Sequence, residues 1–130
     1  REFLEEMPGN VTIALENVME PGPEMLVEIV RRVQDRRLGL CLDVGHANSR
    51  VSKTPVVDWV APMAPYLRHV HLHNNEGDAD LHQCLGTTAP MEAVLDRILA
   101  SCPQATFTIE NPCCAPSVAW LRAHGYLVDQ

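Results

Sequence analysis

The feature that most constrains the fold is a unit of one short strand followed by one helix, which the sequence repeats four times. Strands that alternate with helices of this length are typical of parallel βαβ units, which connect through right-handed crossovers. The predicted strands span residues 11–18, 38–44, 68–74 and 105–111, and the predicted helices span residues 24–37, 55–66, 90–101 and 115–124.

The ends of these helices carry residues that favour helix starts and stops. Pro23 suits the first turn of the first helix, where no backbone N–H donor is needed. Gly125 suits the position just after the last helix, because glycine readily adopts a left-handed conformation. Apolar residues at helical spacing give the first helix one apolar face: Met25, Leu26, Ile29, Val30 and Val33.

The two faces of the predicted strands differ in chemistry, because successive side chains point to opposite sides of a strand. One face is apolar and is expected to pack beneath the helices; it holds Val11, Ile13, Leu15, Leu38, Leu40, Leu42, Val70, Leu72, Phe107 and Ile109. The other face carries small or polar residues that lead to an acid or a histidine: Thr12, Ala14, Glu16, Gly39, Cys41, Asp43, His69, His71, His73, Thr106, Thr108 and Glu110. A doubly wound sheet needs two apolar faces, whereas a barrel has a confined interior and its chemistry at the C-terminal strand ends. The pattern therefore predicts a barrel.

Four strands make half of a (β/α)₈ barrel, since a complete one typically needs about 250 residues. We therefore expect residues 1–130 to form a single partial TIM-barrel domain of four parallel βα units. The missing wall would come from a removed N-terminal region, from a second copy of the chain through dimerisation, or from another polypeptide. The absence of an initiator methionine favours a chain cut from a longer protein.

Bulk composition narrows the classes of partner. The net charge of −7 argues against nucleic-acid binding, which depends on contacts between basic residues and phosphates. No apolar run approaches the roughly 20 residues that span a bilayer, and the N-terminus does not resemble a signal peptide. The five cysteines are odd in number and lack C-x-x-C spacing, which favours reduced thiols in a cytoplasmic protein.

One ionisable residue is expected near the C-terminal end of each strand: Glu16, Asp43, His71 and Glu110. A buried carboxylate costs several kcal/mol unless it is paired, so four such groups at equivalent depth indicate a cation among them. Oxygen ligands with one imidazole suit Mn²⁺, Co²⁺ or Mg²⁺, and Zn²⁺ is also compatible. The alternative is that each acid meets an arginine or lysine at the barrel mouth.

Three further residues are expected near the same mouth. His46 follows Asp43 by three residues and could bind a metal or a substrate hydroxyl; capping a helix or facing solvent is the alternative. Asp80 and His82 lie in the polar loop 74–86 that follows the third strand. A solvated loop is the alternative for this pair.

The three alternate histidines of the third strand cannot share one depth, because alternate strand residues are roughly 6.6 Å apart. Depth matching with Asp43 selects His71 as the ligand. His69 is then expected lower in the barrel as a hydrogen-bonded interior residue, and His73 is expected at the rim.

These segments together resemble the xylose isomerase-like superfamily, which includes sugar-phosphate isomerases and epimerases, ketose 3-epimerases and endonuclease IV. The motifs that carry the resemblance are Leu15-Glu16-Asn17, Leu42-Asp43-Val44-Gly45-His46, His71-Leu72-His73-Asn74, Asp80-Leu81-His82 with Leu85-Gly86, and Ile109-Glu110. The resemblance covers about residues 11–125 and implies the last four βα units, the C-terminal half of the barrel.

The resemblance also implies roles for the site residues. In epimerase-like members the positions matching Glu16, Asp43, His71 and Glu110 bind the catalytic metal. The two glutamates there also act as acid and base, and the position matching His46 contacts substrate. In endonuclease IV-like members, the positions matching His46, Asp80 and His82 bind a third zinc ion, and two further zinc ligands come from earlier strands.

Three hypotheses follow from these expectations. The leading one is a metal-dependent isomerase or epimerase that acts on a sugar or a related small polyhydroxylated carbonyl compound through an enediolate. This chain would supply half of the active site. The alternatives are an endonuclease IV-like zinc phosphodiesterase on abasic DNA, and a non-catalytic half-barrel or interaction module that pairs its open sheet edges.

Overall fold

A computed structural model describes residues 2–86, 90–112 and 114–127. Its strands are Ile13–Glu16 (β1), Leu38–Asp43 (β2), Leu67–Leu72 (β3) and Thr106–Ile109 (β4). Its helices are Glu2–Glu6 (α1), Glu24–Val33 (α2), Val44–Ala47 (α3), Val56–Met63 (α4), Met91–Ser101 (α5) and Ala115–Ala123 (α6). The strands form one parallel sheet in the order β1-β2-β3-β4, so each strand pairs with the next along the chain.

This sequential order confirms the predicted partial TIM barrel. In a barrel each parallel strand lies beside its successor, whereas a doubly wound sheet reverses its strand order at a switch point. All four predicted strands and all four predicted helices are present, with ends that differ by a few residues. Cys113 and the predicted loop end at Thr88 lie outside the described residues.

The strands are shorter than predicted, because pairing rather than composition sets their ends. β1 starts at Ile13, whose N–H reaches the Arg37 carbonyl, whereas the N–H of Val11 is turned back to the Pro8 carbonyl. The helical turn α3 was not predicted. It begins directly after β2 because the Asp43 carboxylate accepts the His46 N–H at 2.7 Å and so caps the turn.

The helix-covered face of the sheet holds the core. Leu40, Leu42 and Val70 are completely buried there, together with Trp59 and Met63 of α4. Burial of each large apolar side chain stabilises the fold by about 1.5–3 kcal/mol. Helices α4 and α5 pack against each other, and α2 and α4 both contact β2, where every residue except Leu38 is buried.

The interior-facing side of the sheet is less evenly covered. Cys41 on β2 is buried, whereas Ala14 on β1 and Thr106 and Thr108 on β4 are exposed. Cys41, Cys102 and Cys114 are free thiols. In the described segments no helix combines the length and apolar character needed to cross a bilayer.

Candidate metal centre

Four side chains converge at the C-terminal ends of the strands, as the sequence predicted. The Nδ1 atom of His71 lies 3.4 Å from Glu16 Oε1, 3.6 Å from Asp43 Oδ2 and 3.4 Å from Glu110 Oε1. This Nδ1 atom is buried and makes no hydrogen bond. We call Glu16, Asp43, His71 and Glu110 the primary cluster.

The strand register explains how these residues meet. Asp43 pairs with His71, whereas Glu16 pairs with Cys41, two residues earlier on β2. Glu110 lies one residue beyond the end of β4. The members are therefore staggered in register, which suits strands that tilt relative to a barrel axis.

Asp43 is completely buried, and both its backbone and its carboxylate are hydrogen-bonded. The Asn17 side chain accepts the Asp43 N–H at 2.8 Å and donates to the Asp43 carbonyl at 2.9 Å. Burial by itself would raise the pKa of the Asp43 carboxyl, but hydrogen bonds from His73 and the His46 backbone, with the charges of both rings, outweigh it. The pKa of Asp43 is therefore lowered, and the buried group is an anion.

The prediction that His73 lies at the rim is wrong. Its side chain is completely buried, and its Nε2 atom lies 2.9 Å from Asp43 Oδ1 and 3.0 Å from Asp43 Oδ2. The strand ends one residue earlier, and a bridge between Asn74 and Gln83 folds the following loop back over the ring. Gly45 leaves room for the imidazole, which a Cβ atom at that position would overlap.

His69 lies where the sequence placed it, as a hydrogen-bonded interior residue. Its Nδ1 atom contacts Thr106 Oγ1 at 2.7 Å, and its Nε2 atom contacts Thr108 Oγ1 at 2.9 Å. Burial and the neighbouring His71 lower the pKa of His69. Both ring nitrogens are thus engaged by β4 hydroxyls, and the ring meets the His71 ring edge-on with centroids 5.1 Å apart.

His46, Asp80 and His82 also come together, and we call them the outer cluster. Asp80 Oδ2 lies 3.3 Å from His46 Nε2 and 3.2 Å from His82 Nε2. The Nδ1 atoms of the two histidines contact backbone carbonyls, that of Asn17 at 2.8 Å and that of Glu110 at 2.6 Å. Since a carbonyl only accepts, each Nδ1 carries a proton and each Nε2 faces the carboxylate.

The outer cluster also affects the pKa values of its histidines. Burial opposes the charging of His46, but Asp43, the Asn17 carbonyl and Asp80 together raise its pKa. The hydrogen bond to the Glu110 carbonyl is the largest cause of the raised pKa of His82, and Asp80 adds to it. Both imidazoles therefore lie in a negative environment that favours a cationic occupant or a ring proton.

Two asparagines that sequence reasoning left without a role build this site. Asn17 bridges β1 to Asp43, and Asn111 donates to the carbonyls of His82 and Gln83 at 3.3 and 2.7 Å. These two carbonyls follow the left-handed backbone of His82, whose φ is 47°. The signal was the Glu-Asn pair, which recurs near the C-terminal ends of the first and the fourth predicted strands, at residues 16–17 and 110–111.

The negative charge of the site affects the pKa of Cys41. Burial and the charges of Glu16, Asp43 and Glu110 raise the pKa of its thiol to about 12. Within the described residues, no arginine or lysine forms an ion pair with those three carboxylates, whose ionic partners are histidines. The alternative of neutralisation by basic side chains therefore has no support in this part of the chain.

Comparison with known proteins identifies related folds. The family model described as xylose isomerase-like TIM barrel matches residues 2–125. A D-tagatose 3-epimerase-like protein has a crystal structure with 27% identity and a TM-score of 0.73, over 87% of this chain and 45% of that one. The 3-keto-D-glucoside 4-epimerase from E. coli, in its apo form, shares the fold with 17% identity and a TM-score of 0.67, over 86% of this chain and 46% of that one.

An uncharacterized protein of Methanocaldococcus jannaschii is 34% identical over 83 residues, which is 64% of this chain and 27% of that protein. The chain thus spans about a quarter of that relative and less than half of each of the two solved structures.

Proposed function

This chain belongs to the xylose isomerase-like TIM barrel family, and we propose that it supplies half of the active site of a metal-dependent isomerase or epimerase. The substrate class is a sugar or a related small polyhydroxylated carbonyl compound. The observation that carries the proposal is the approach of three carboxylates to the His71 Nδ1 atom, which makes no hydrogen bond. The likeness to a D-tagatose 3-epimerase-like protein supports the same reaction class.

The primary cluster fits a divalent cation on physical grounds. A buried imidazole nitrogen without a hydrogen bond, surrounded by three carboxylates, is costly unless a positive charge lies among them. Carboxylate oxygens with one imidazole suit Mn²⁺, Co²⁺ or Mg²⁺, and Zn²⁺ is compatible. Glu16, Asp43, His71 and Glu110 would hold the ion. When bound, such a cation polarises a carbonyl group and acidifies the neighbouring C–H bond.

The two glutamates are suited to proton transfer. Glu16 and Glu110 come from the two outer strands, lie on either side of His71, and keep 33% and 31% of their side chains exposed. One carboxylate would take the proton from the substrate carbon, and the other would return a proton after the enediolate has formed. Asp43 is buried and would act only as a ligand.

A second polar contact and a cavity are available beside the primary cluster. A cavity of about 330 Å³ is lined by Val18, Met19, His46, Arg50 and Asp80, among others. His46 borders both this cavity and the primary cluster, since its Nδ1 atom lies 3.5 Å from a Glu16 carboxylate oxygen. We expect His46 to hydrogen-bond a substrate hydroxyl and the cavity to receive the part of the substrate away from the reacting carbon.

The test uses the full-length protein that contains this chain. It is assayed against a panel of ketoses with Mn²⁺ or Co²⁺, and exchange of the substrate C–H with solvent deuterium is followed by NMR. We expect metal-dependent turnover and exchange, both lost after Asp43→Asn. Absence of turnover together with no metal-dependent rise in melting temperature would contradict the proposal.

A second candidate is phosphodiester hydrolysis at abasic DNA. The outer cluster favours it, because the Nε2 atoms of His46 and His82 each lie within 3.3 Å of Asp80 Oδ2, and imidazole nitrogens with a carboxylate could hold an additional zinc ion. The net charge of −7 argues against a DNA substrate. Zinc-dependent cleavage of an abasic oligonucleotide that is lost after His82→Ala would establish this function, and uncleaved oligonucleotide would exclude it.

We further propose that other strands complete the barrel around the exposed inner side of β1 and β4. They would come from the remainder of the protein or from a second copy of this chain, and the molar mass in solution distinguishes these sources. The free thiols of Cys41, Cys102 and Cys114 support a reducing compartment such as the cytoplasm. Fractionation of the source cells tests that location.

A further inference from the structure

His73 lies between the primary and outer clusters, and the proposed reaction gives it no task. Its ring is completely buried. The Nε2 atom is within 3.0 Å of both Asp43 oxygens, and since an ionised carboxylate only accepts, Nε2 carries the proton. The remaining hydrogen bond to the Asp43 carboxylate, from the His46 N–H, reaches Oδ1 alone. The His46 ring approaches Oδ2 only to 3.6 Å, through its Nδ1 atom. The His73 Nε2–H, within 3.0 Å of both oxygens, is therefore the donor best placed to limit rotation of the carboxylate.

The faces of the same ring contact the outer cluster. The His82 ring stacks on His73 with centroids 3.9 Å apart and planes inclined by 4°. The His46 ring meets it edge-on with centroids 5.6 Å apart. His82 has a positive φ, so its position depends on contacts made by its side chain and carbonyl rather than on its own backbone preference.

We propose that His73 is a positioning residue that serves both clusters, an inference that rests on the proposed role of Asp43 as a metal ligand. Its Nε2–H orients the Asp43 carboxylate so that Oδ2 faces His71, at 3.6 Å from Nδ1. Its ring face is the surface on which His82 stacks, which places the loop carrying Asp80. The buried His73 side chain thus sets both the orientation of the Asp43 carboxylate and the position of the loop that carries Asp80.

The geometry beside the ring supports this role. The His73 ring occupies the space that a Cβ atom at position 45 would fill, so the glycine there permits the close packing of the imidazole. Hydrogen bonds that orient a metal ligand typically change metal affinity by about 10–100-fold. The loop is held from its other side by Asn111, so loss of the stacking should loosen residues 80–84 without unfolding the chain.

Two variants of the full-length protein separate the two contributions. His73→Gln keeps an N–H donor near the Nε2 position and removes the flat ring. His73→Phe keeps a ring for His82 to stack on and removes the donor. Mn²⁺ affinity is measured from the EPR signal of free Mn²⁺, and backbone hydrogen exchange of residues 80–84 is measured in metal-free protein. The control is His124→Phe, the same substitution at a histidine that follows the C-terminal end of α6 and belongs to neither cluster.

We expect His73→Phe to weaken Mn²⁺ binding by about 10–100-fold with loop exchange unchanged. His73→Gln should keep the affinity within about threefold and speed loop exchange by about tenfold or more. Equal changes in both variants, or unchanged Mn²⁺ affinity in a folded His73→Phe protein, would overturn the inference. Absent isomerase activity with the expected affinity pattern would reject the proposed reaction and leave the role of His73 in place. A wild-type protein that binds no divalent cation would reject both.

Discussion

The helix-covered and interior-facing sides of the same sheet are stabilised in different ways. Leu42 and Asp43 are consecutive residues of β2, point to opposite sides, and are both completely buried. Leu42 lies among apolar side chains, whose burial is favourable without any directional contact. Asp43 is stable in its position because Asn17, His46 and His73 supply its hydrogen bonds.

Equal burial therefore has different consequences on the two sides. The helix-covered side should tolerate exchange among apolar residues of similar volume, because its stability depends on area and packing. The interior side should tolerate little exchange, since removal of one partner leaves a buried polar group unsatisfied. We expect changes on the first side to affect mainly folding, and changes on the second to affect mainly metal binding and turnover.

The largest effect is expected from removing a proton-transfer group on the interior side. Glu110→Gln should lower kcat by about 10²–10⁴-fold, because general acid–base groups contribute that much. The melting temperature should stay within a few degrees of wild type, since Glu110 is partly exposed. Steady-state kinetics on an active ketose and thermal denaturation measure the two quantities. Glu6→Gln on α1 is the matched control, and equal kcat in both variants would contradict the assignment.

A cavity on the helix-covered side should have the opposite effect, a large loss of stability rather than of kcat. Leu42→Ala is expected to lower the free energy of unfolding by about 2–5 kcal/mol, because it leaves a void in a packed core. Cys41→Ala changes the adjacent residue on the interior side and should cost only about 1 kcal/mol. Urea denaturation of both variants measures the difference. Similar losses would show that the two sides do not differ in packing.

A smaller loss of stability is expected from a substitution beside the His73 ring. Gly45→Ala should destabilise the protein by about 1–3 kcal/mol, because the added methyl group overlaps the His73 ring. Gly9→Ala is the control, since nothing lies within 4 Å of a Cβ atom there. Thermal denaturation compares the two. A Gly45→Ala protein as stable as wild type would mean that the ring can move, and its Mn²⁺ affinity would then show whether Asp43 moves with it.

The smallest effect on the molecule is expected from thiol alkylation in the native state. Cys41 is buried and its thiol pKa is raised to about 12, so almost none of it is thiolate at pH 8. Cys114 is exposed and should be alkylated by iodoacetamide at least about 100-fold faster, with activity unchanged. Peptide mapping by mass spectrometry gives both rates. Rapid labelling of Cys41 would show that the interior side opens to solvent.

Most of the fold was readable from the sequence because it depends on local periodicity. Alternation along the segment 38–44 placed Leu42 and Asp43 on opposite sides, and both were found there. The strands were predicted too long, since their ends depend on which backbone groups find partners on the next strand. The turn α3 was missed because Asp43 was considered as a ligand and not also as a helix cap.

The sequence by itself determined the strand–helix order, the apolar and polar sides, and which acids and histidines end each strand. These follow from side-chain alternation and from the cost of burying charge. Only the tertiary structure decided that His73 is buried against Asp43 and that the Asp80 carboxylate lies between the Nε2 atoms of His46 and His82, three residues that the family resemblance had implied would meet. Both depend on how the loop 74–86 folds back, which hydrogen bonds from distant residues such as Asn111 determine and local periodicity does not record.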